Sequence, residues 1–247
     1  MASRLCSCTW IRDLDTKRVE ADEVWSFCYS KEKNVPRDLP QEIRDRFGWG
    51  DLWTWAAMDA ESKLMIAWRV GDRSEATGDP FVKDLAGRLT GRIQLSTDGH
   101  GVYPHAVELA FAGDVDYATV VKEYASTPGT SGERPAHVRY SPGECQGVVK
   151  TRVHGDPDME LDSTSYVERS NLSVRMLNRR FTRLTNSFSK RIEYHRVAIA
   201  LTFFYYNFCR KHSSLKGKTP AMAAGITTTV WSVRDMLFAG DQMRTIA

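Results

Sequence analysis

Two apolar segments separated by only three residues constrain the fold more than any other feature of this chain. Residues 52–60 and 64–70 are rich in tryptophan and other strand-forming side chains, and Glu61-Ser62-Lys63 lies between them. A linker of this length and polarity is typical of a hairpin, so the two strands are expected to pair antiparallel. Residues 18–27 have a similar composition and predict a further strand ahead of the hairpin.

Helical and strand patterns alternate in the next part of the chain. Ser74 is a candidate N-cap for a helix that extends to about Leu89, and residues 103–112 predict a second, shorter helix. Residues 92–97 and 116–124 predict two more strands. The order β-β-β-α-β-α-β predicts an α/β protein of the ribonuclease H-like fold, with a mixed five-stranded sheet flanked by helices. Its core is expected to contain Trp25, Trp53, Trp55 and Trp68.

The remaining sequence predicts a long loop followed by helices. Residues 125–162 are rich in Pro, Gly, Ser and Thr, and a loop of this length in a compact domain is usually functional or mobile. A long helix capped by residues 162–164 is expected next, with an apolar stripe at Val167, Val174, Leu177, Phe181 and Leu184. A helix over 191–209 is apolar nearly all round and predicted to be buried, and Thr219-Pro220 opens a short one.

These patterns predict three parts of the chain. Residues 1–17 are interpreted as an N-terminal remnant or linker, 18–188 as the ribonuclease H-like domain, and 189–247 as a C-terminal helical extension. Residues 1–12 have no apolar core typical of a signal peptide, and the uncharged stretch 197–209 is too short to cross a bilayer. We therefore expect a cytoplasmic protein whose five scattered cysteines are free thiols, with Cys6 and Cys8 as a weak alternative half of a zinc site.

Charge is distributed very unevenly along the chain. Residues 1–168 contain 20 Lys and Arg against 28 Asp and Glu, whereas residues 169–218 contain 12 against one, Glu193. A solvated surface normally alternates in sign, so this ratio favours contact with a polyanion, and nucleic acid in particular. The candidate DNA-binding residues are Arg169, Asn171, Arg175, Arg179, Arg180, Arg183, Lys190, Arg191, Arg210, Lys211, His212, Lys216 and Lys218.

Three acids occupy positions at which this fold could bring them together. Asp22 lies inside the first strand, Asp98 ends the fourth, and Glu168 lies in the first turns of the long helix. Converging carboxylates repel one another unless a cation binds them, and oxygen-only ligands favour Mg²⁺ or Mn²⁺. The pattern alone also allows Asp22 to be a surface residue, Asp98 a turn residue before Gly99, and Glu168 an acid favoured by the helix dipole.

Four short motifs resemble those of bacterial insertion-sequence transposases of the DDE type, and most closely the group typified by insertion sequence one. The first is Asp22-Glu23-Val24-Trp25-Ser26-Phe27, and the second is Thr97-Asp98-Gly99-His100-Gly101-Val102-Tyr103. The third runs from Tyr166 to Leu172, and the last comprises residues 206–215 and 218–223. The likeness spans about residues 18 to 226; Lys211 stands where proline is expected in the last motif.

This resemblance implies a function and a set of site residues. Asp22, Asp98 and Glu168 would be the catalytic residues and the ligands of Mg²⁺ or Mn²⁺, with two ions expected. The reaction implied is hydrolytic nicking at the ends of a mobile element, followed by attack of the freed 3′-hydroxyl on target DNA. The implied partners are element-end and target DNA, with a homo-oligomer assembled on DNA, which would associate the protein with the nucleoid.

One departure from the resemblance concerns the N-terminus. Such transposases usually carry a zinc-binding or helix-turn-helix segment ahead of the catalytic domain, whereas 17 residues precede the first strand here. The chain is therefore expected to be a catalytic domain without its end-recognition module, a form that depends on a separate DNA-recognition partner, or a degraded copy. Two other functions stay open: a nuclease that never joins strands, and a transposase-derived DNA-binding protein without catalytic activity.

Overall fold

A mixed β-sheet forms the centre of the protein. The computed structural model describes residues 11–124, 145–182, 186–236 and 238. Within them the sheet has six strands in the spatial order β3-β2-β1-β4-β5-β6. The strands are β1 (Arg18–Cys28), β2 (Gly50–Asp59), β3 (Met65–Gly71), β4 (Ile93–Thr97), β5 (Val115–Tyr124) and β6 (Cys145–His154).

Strand direction identifies the fold. β1 pairs antiparallel with β2 and parallel with β4, β2 pairs antiparallel with β3, and β4 pairs parallel with β5. The antiparallel strands β1, β2 and β3 are followed by β4 and β5, which pair parallel beside β1 and alternate with helices. This is the ribonuclease H-like arrangement, so the predicted fold class is confirmed. The parallel pairing of β1 and β4 places the end of β4 beside the middle of β1.

The predicted hairpin between β2 and β3 is confirmed, and Asp59 holds its turn. This buried carboxylate accepts hydrogen bonds from the backbone N–H groups of Glu61 (3.3 Å) and Ser62 (2.9 Å). The hydroxyl of Thr16 donates a further bond of 2.5 Å to Asp59 from the chain ahead of β1. Lys63 completes the turn with a left-handed backbone (φ 62°).

Six α-helices flank the sheet in the described ranges. They are α1 (Gln41–Phe47), α2 (Glu75–Ala86), α3 (Val102–Phe111), α4 (Ser165–Leu177), α5 (Ile192–Phe204) and α6 (Pro220–Ala223). Short 3₁₀ helices lie at Glu32–Asn34, Arg179–Phe181 and Ser213–Leu215, and a π-helical turn at Tyr205–Cys209 continues α5. No helix in the described part of the chain is long and apolar enough to cross a membrane.

The aromatic core lies mainly around β2, α2 and α3. The rings of Phe81 and Tyr103 pack against Trp55 at centroid distances of 5.9 and 5.3 Å. Trp55 and Trp68 are buried as predicted, whereas Trp25 and Trp53 are only half-buried. Trp25 and Trp53 lie opposite each other on β1 and β2, and Trp53 packs against the edge of the core.

The prediction of a five-stranded sheet is wrong by one strand. β6 lies inside the segment 125–162 that its composition predicts to be a loop, and it pairs antiparallel with β5 at the sheet edge. Nearly all β6 side chains are exposed, so the strand lacks the alternation of buried and exposed positions that marks a strand in a sequence. Residues 125–144 lie outside the described ranges.

The first long helix ends earlier than predicted, whereas the second continues through its π-helical turn to Cys209 as predicted. α4 ends at Leu177 because Asn178 adopts an extended backbone and its side chain accepts a hydrogen bond from the N–H of Arg180, which starts a separate 3₁₀ turn. Phe181 still reaches the core from that turn, whereas Leu184 lies outside the described residues. α5 is also less buried than predicted, with Tyr194 60% and Leu201 43% exposed.

The segment that precedes β1 packs onto the domain. Ile11 and Leu14 are buried, and Leu14 exchanges backbone hydrogen bonds with Arg88 (3.0 Å) and Thr90 (2.9 Å) after α2. Ile11, Leu14 and Thr16 are therefore buried against the domain, while the other side chains of residues 11–17 are exposed. Residues 1–10, with Cys6 and Cys8, lie outside the described ranges.

The C-terminal extension is tied to the sheet by buried polar side chains. Asn207 bonds to both backbone groups of Met65 on β3, with distances of 2.9 Å to the N–H and 2.8 Å to the C=O. His195 on α5 lies between the hydroxyls of Ser26 (3.0 Å) and Ser189 (2.7 Å), and burial lowers its pKa to about 4. A neutral His195 can therefore donate to one serine and accept from the other.

Candidate active site

Asp22 and Asp98 are neighbours because β1 and β4 run parallel. The register pairs Ala21 with Thr97, and each acid is the next residue along its strand. Asp22 is half-buried in the middle of β1, and Asp98 follows the last residue of β4. The sheet thus joins two acids that are 76 positions apart in the sequence.

A third carboxylate, that of Glu23, belongs to the same group. One carboxylate oxygen from each of Asp22, Glu23 and Asp98 lies within 4.8 Å of the others. The side chain of Glu23 has no exposed surface, and its Oε1 has no hydrogen-bond partner among the described residues. Sequence reasoning missed Glu23, although two consecutive acids inside a strand are an uncommon pattern that could have indicated it.

Burial and nearby negative charge raise the pKa values of Asp22 and Glu23. Loss of hydration raises the pKa of Asp22 to about 6, and the charges of Asp98 and Glu168 contribute to the rise. The pKa of Glu23 is raised to about 7, first by burial and then by Asp98, while Tyr103 and Arg73 act in the opposite direction. The group therefore stores unfavourable charge that a bound cation would relieve.

Glu168 lies close to this group without being part of it. Its carboxylate accepts a hydrogen bond of 2.7 Å from Thr164 and forms an ion pair with Lys122 on β5. One turn further along α4, the side-chain amide of Asn171 donates a 2.8 Å hydrogen bond to Asp22. The helix that carries Glu168 is thus joined directly to the first acid.

Glu20 anchors the start of this helix to the sheet. Its Oε2 accepts hydrogen bonds from the backbone N–H groups of Tyr166 (2.7 Å) and Val167 (3.0 Å), which lack partners within the first turn of α4. Burial raises the pKa of Glu20 to about 7 despite these bonds. Glu20 and Asp22 are two residues apart on β1 and therefore face the same helix.

Arg73 supplies positive charge at the acid group. Its Nε donates to Glu23 Oε2 at 3.0 Å and its Nη2 to Asp98 Oδ2 at 3.2 Å. The guanidinium carbon lies 4.6 Å from the centroid of the Trp53 ring. Arg73 follows β3, so four neighbouring strands, β3, β2, β1 and β4, and the residues that follow them build this part of the site.

The donor set fits a hard divalent cation. The donor atoms are carboxylate oxygens only, which is the chemistry that Mg²⁺ and Mn²⁺ prefer, and Glu23 also has a buried oxygen without a hydrogen-bond partner among the described residues. The described geometry groups Asp22 and Asp98 with Glu23, while Glu168 is held by Lys122. Binding by Glu168 would require its carboxylate to exchange this lysine for the ion.

The predicted DNA-binding residues fall into three groups. The first is exposed, and among the described residues none of its members pairs with a carboxylate: Arg169, Arg179, Lys190, Arg191, Lys211, Lys216 and Lys218. The second is half-buried and consists of Arg175, Arg180, Arg210 and His212. The third contains Asn171, which is buried against Asp22, and Arg183, which lies outside the described ranges.

Some of these side chains have structural contacts. Arg180 donates to the hydroxyl of Ser189 at 3.1 Å, and His212 packs edge-on against Tyr206. Arg175 shares α4 with Glu168, whereas Arg179 lies beyond the helix end in the following 3₁₀ turn. The exposed cations are the part of the basic segment that remains available to a polyanion.

The histidine after the second acid is oriented toward the core. The backbone N–H of His100 donates to Asp98 Oδ1 at 3.0 Å, while its ring packs edge-on against Trp55 and Tyr103. Burial, assisted by Arg73, lowers the pKa of this imidazole. The backbone contact of His100 therefore belongs to the turn after β4, and His105 lies exposed on α3.

Comparison with known proteins gives one distant structural similarity. No protein-family model matches the chain, and no curated protein matches its sequence. One similar solved structure is the cryo-EM structure of the piggyBac transposase synaptic complex with hairpin DNA, at 14% identity and a TM-score of 0.37. The similarity covers 86% of this chain and 52% of that one, so the chain spans about half the length of that transposase. The fold assignment here rests on strand order and direction.

Proposed function

We propose that this protein is the catalytic domain of a DNA transposase that cleaves DNA strands and transfers them with the help of divalent metal ions. The observation that carries the proposal is the junction of Asp22 and Asp98 on adjacent parallel strands, with the Glu168 helix hydrogen-bonded to Asp22. The resemblance of four sequence motifs to insertion-sequence transposases supports the same function.

Each acid has a distinct task in this proposal. Asp22 and Asp98 would hold Mg²⁺ or Mn²⁺ from the sheet, and Glu168, which is paired with Lys122 in this structure, would supply the third carboxylate from α4. Bound ions of this kind activate a water or a 3′-hydroxyl and stabilise the leaving oxygen of a phosphodiester. Asn171 fixes the orientation of Asp22, and Glu20 fixes the helix.

The exposed basic residues hold the DNA in this proposal. Arg169 lies beside Glu168 on α4, and Lys211, Lys216 and Lys218 lie in the C-terminal extension. Contacts to phosphates position a duplex without reading its sequence. End recognition would then come from a separate partner or segment, and pairing of two element ends would require more than one copy of the chain on DNA.

Two assays distinguish this function from its alternatives. Metal-dependent nicking of supercoiled plasmid is expected of a transposase or a nuclease and contradicts a purely DNA-binding role. Joining of a labelled 3′-hydroxyl end to plasmid is expected only of a transposase. Asp98→Asn should abolish both reactions, whereas Asp114→Asn, at the opposite end of the parallel strands, should leave both unchanged.

A further inference from the structure

The carboxylate of Asp98 is already engaged at both oxygens. Oδ1 accepts the backbone N–H of His100 at 3.0 Å, and Oδ2 accepts Nη2 of Arg73 at 3.2 Å. The first contact is part of the turn after β4 and is fixed by the backbone. The second comes from a long side chain that is 35% exposed, so Oδ2 is the oxygen that can change partner.

The position of Arg73 is maintained by contacts other than Asp98. Its Nε bonds to the fully buried carboxylate of Glu23 at 3.0 Å, and its guanidinium lies over Trp53. A cation close to an aromatic face and a buried carboxylate is stabilised even when one further partner leaves. Arg73 can thus release Asp98 without leaving the site.

A divalent ion and the guanidinium would compete for the same charge. The three grouped carboxylates attract either cation, and two cations a few ångströms apart repel each other strongly in a partly desolvated site. The ion cannot therefore bind Asp98 Oδ2 at full strength while Arg73 is bound there.

From this geometry we infer that Arg73 is an internal cation that competes with the divalent metal for Asp98, while Glu23 and Trp53 retain it beside the site. The inference rests on the proposed function, since it assumes that Asp98 binds a metal. Arg73 stabilises the acid group without metal and sets the metal concentration at which the site fills. Arg73 is thus a positioning residue, and the hydrogen bond to Glu23 holds it in place.

Mn²⁺ binding, measured by the loss of the free-ion signal in electron paramagnetic resonance, tests this inference on the full chain. Arg73→Gln should lower the Kd for Mn²⁺ by about tenfold or more, because the competing charge is lost while an amide donor remains for Glu23. Arg73→Lys keeps the charge without the two-pronged geometry and should give an intermediate Kd. The matched control Arg69→Gln, an exposed cation on β3, should leave the Kd unchanged within about twofold.

Tryptophan emission provides an independent readout of Arg73. Mg²⁺ should change the emission of the wild type as Arg73 shifts over Trp53, and the change should be lost in both Trp53→Phe and Arg73→Gln. An Arg73→Gln Kd equal to or weaker than that of the wild type would overturn the inference. If Arg73→Gln does not fold, the Kd of Arg73→Lys decides in the same way.

Failure of the metal site itself would look different. If Asp98→Asn binds Mn²⁺ as tightly as the wild type, the proposed function is wrong at this site, whatever Arg73 does. If neither the wild type nor Arg73→Gln binds Mn²⁺, both the site and the competition are excluded. Tighter binding by Arg73→Gln together with loss of binding by Asp98→Asn supports both.

Discussion

The acidic and basic parts of this protein use charge in opposite ways. In the sheet, Asp22, Glu23 and Asp98 converge on one point, where burial raises the pKa values of the first two. In the segment 169–218, the exposed cations are spread over helices and turns, and those in the described ranges have no carboxylate partners. We therefore expect each acid of the group to be essential for cleavage. Each exposed cation is expected to make only a small, additive contribution to DNA affinity.

The largest expected effect is the loss of cleavage when a sheet acid is neutralised. Asp22→Asn or Asp98→Asn should reduce plasmid nicking by at least about a thousandfold, because a metal ligand and several kcal/mol of transition-state stabilisation are lost. DNA affinity, measured by fluorescence anisotropy without metal, should stay within about twofold of the wild type. If either variant still nicks DNA, the acids of the sheet are not essential, and the contrast between the acidic group and the basic segment is wrong.

The basic segment should show its effect in the dependence of DNA affinity on salt. If about six phosphate contacts form, affinity should fall by roughly a thousandfold between 50 and 200 mM salt. Lys211→Gln should reduce the slope of log K against log salt by about 1, uniformly over unrelated duplexes. The control is Lys17→Gln, an exposed lysine that pairs with Asp15 in the acidic part and should leave the slope unchanged. A flat salt response, or strong discrimination between duplexes, would contradict this prediction.

Metal-free stability should decrease as the pH rises from about 4 to 8. The pKa of Asp22 is about 6 in the folded state and 3.8 for an ordinary aspartate, as in the unfolded chain. The folded state therefore binds the proton of Asp22 more tightly than the unfolded state does. Its stabilising contribution is present below pH 3.8 and is lost as the pH rises through about 6, with Glu20 and Glu23 following near 7.

Thermal melting of Asp22→Asn measures this effect. At pH 8 the metal-free variant should melt no lower than the wild type, and the difference in the free energy of unfolding at pH 8 should be up to about 3 kcal/mol. Mn²⁺ should raise the melting temperature of the wild type more than that of the variant. Equal pH dependence of the two proteins would show that Asp22 is not strained by its neighbours.

The smallest effect is expected at the exposed ion pair of Glu168. Lys122 and Glu168 are 28% and 40% exposed, so solvent screens much of their attraction. A double-mutant cycle with Lys122→Met and Glu168→Gln should give a coupling free energy below about 1 kcal/mol in chemical denaturation. A larger coupling free energy would mean that the ion pair holds α4 in place and that the carboxylate of Glu168 is as firmly positioned as those of Asp22 and Asp98.

The sequence predicts the centre of the fold better than its periphery. The hairpin and the β1–β4 strand order follow from local patterns, and they suffice to bring Asp22 and Asp98 together. β6 was missed because its side chains are exposed on both faces, and the end of α4 was missed because it depends on one hydrogen bond of Asn178. Neither the pairing of an exposed strand nor a single side-chain hydrogen bond can be predicted from local sequence patterns.

The candidate site, like the fold, could be predicted from the sequence only in part. The positions of the acids on strand or helix could be predicted, whereas the partners Arg73 and Lys122 could not, because they come from distant segments and lie in no motif. Glu23 belongs to a quoted motif, yet its burial follows from packing against Tyr103 and not from spacing. Long-range contacts therefore decide which of several nearby acids share one point.

The bond between Asn207 and Met65 has a consequence for how copies of this chain can assemble. An edge strand normally offers free N–H and C=O groups to any other strand, and the amide of Asn207 occupies both groups of Met65 on β3. A second molecule that extended the sheet there would first have to displace the C-terminal extension. At the opposite edge, β6 presents Lys150 and Arg152, whose like charges oppose pairing with another copy of the same strand. A second copy is thus expected to contact helices or loops rather than to extend either edge of the sheet.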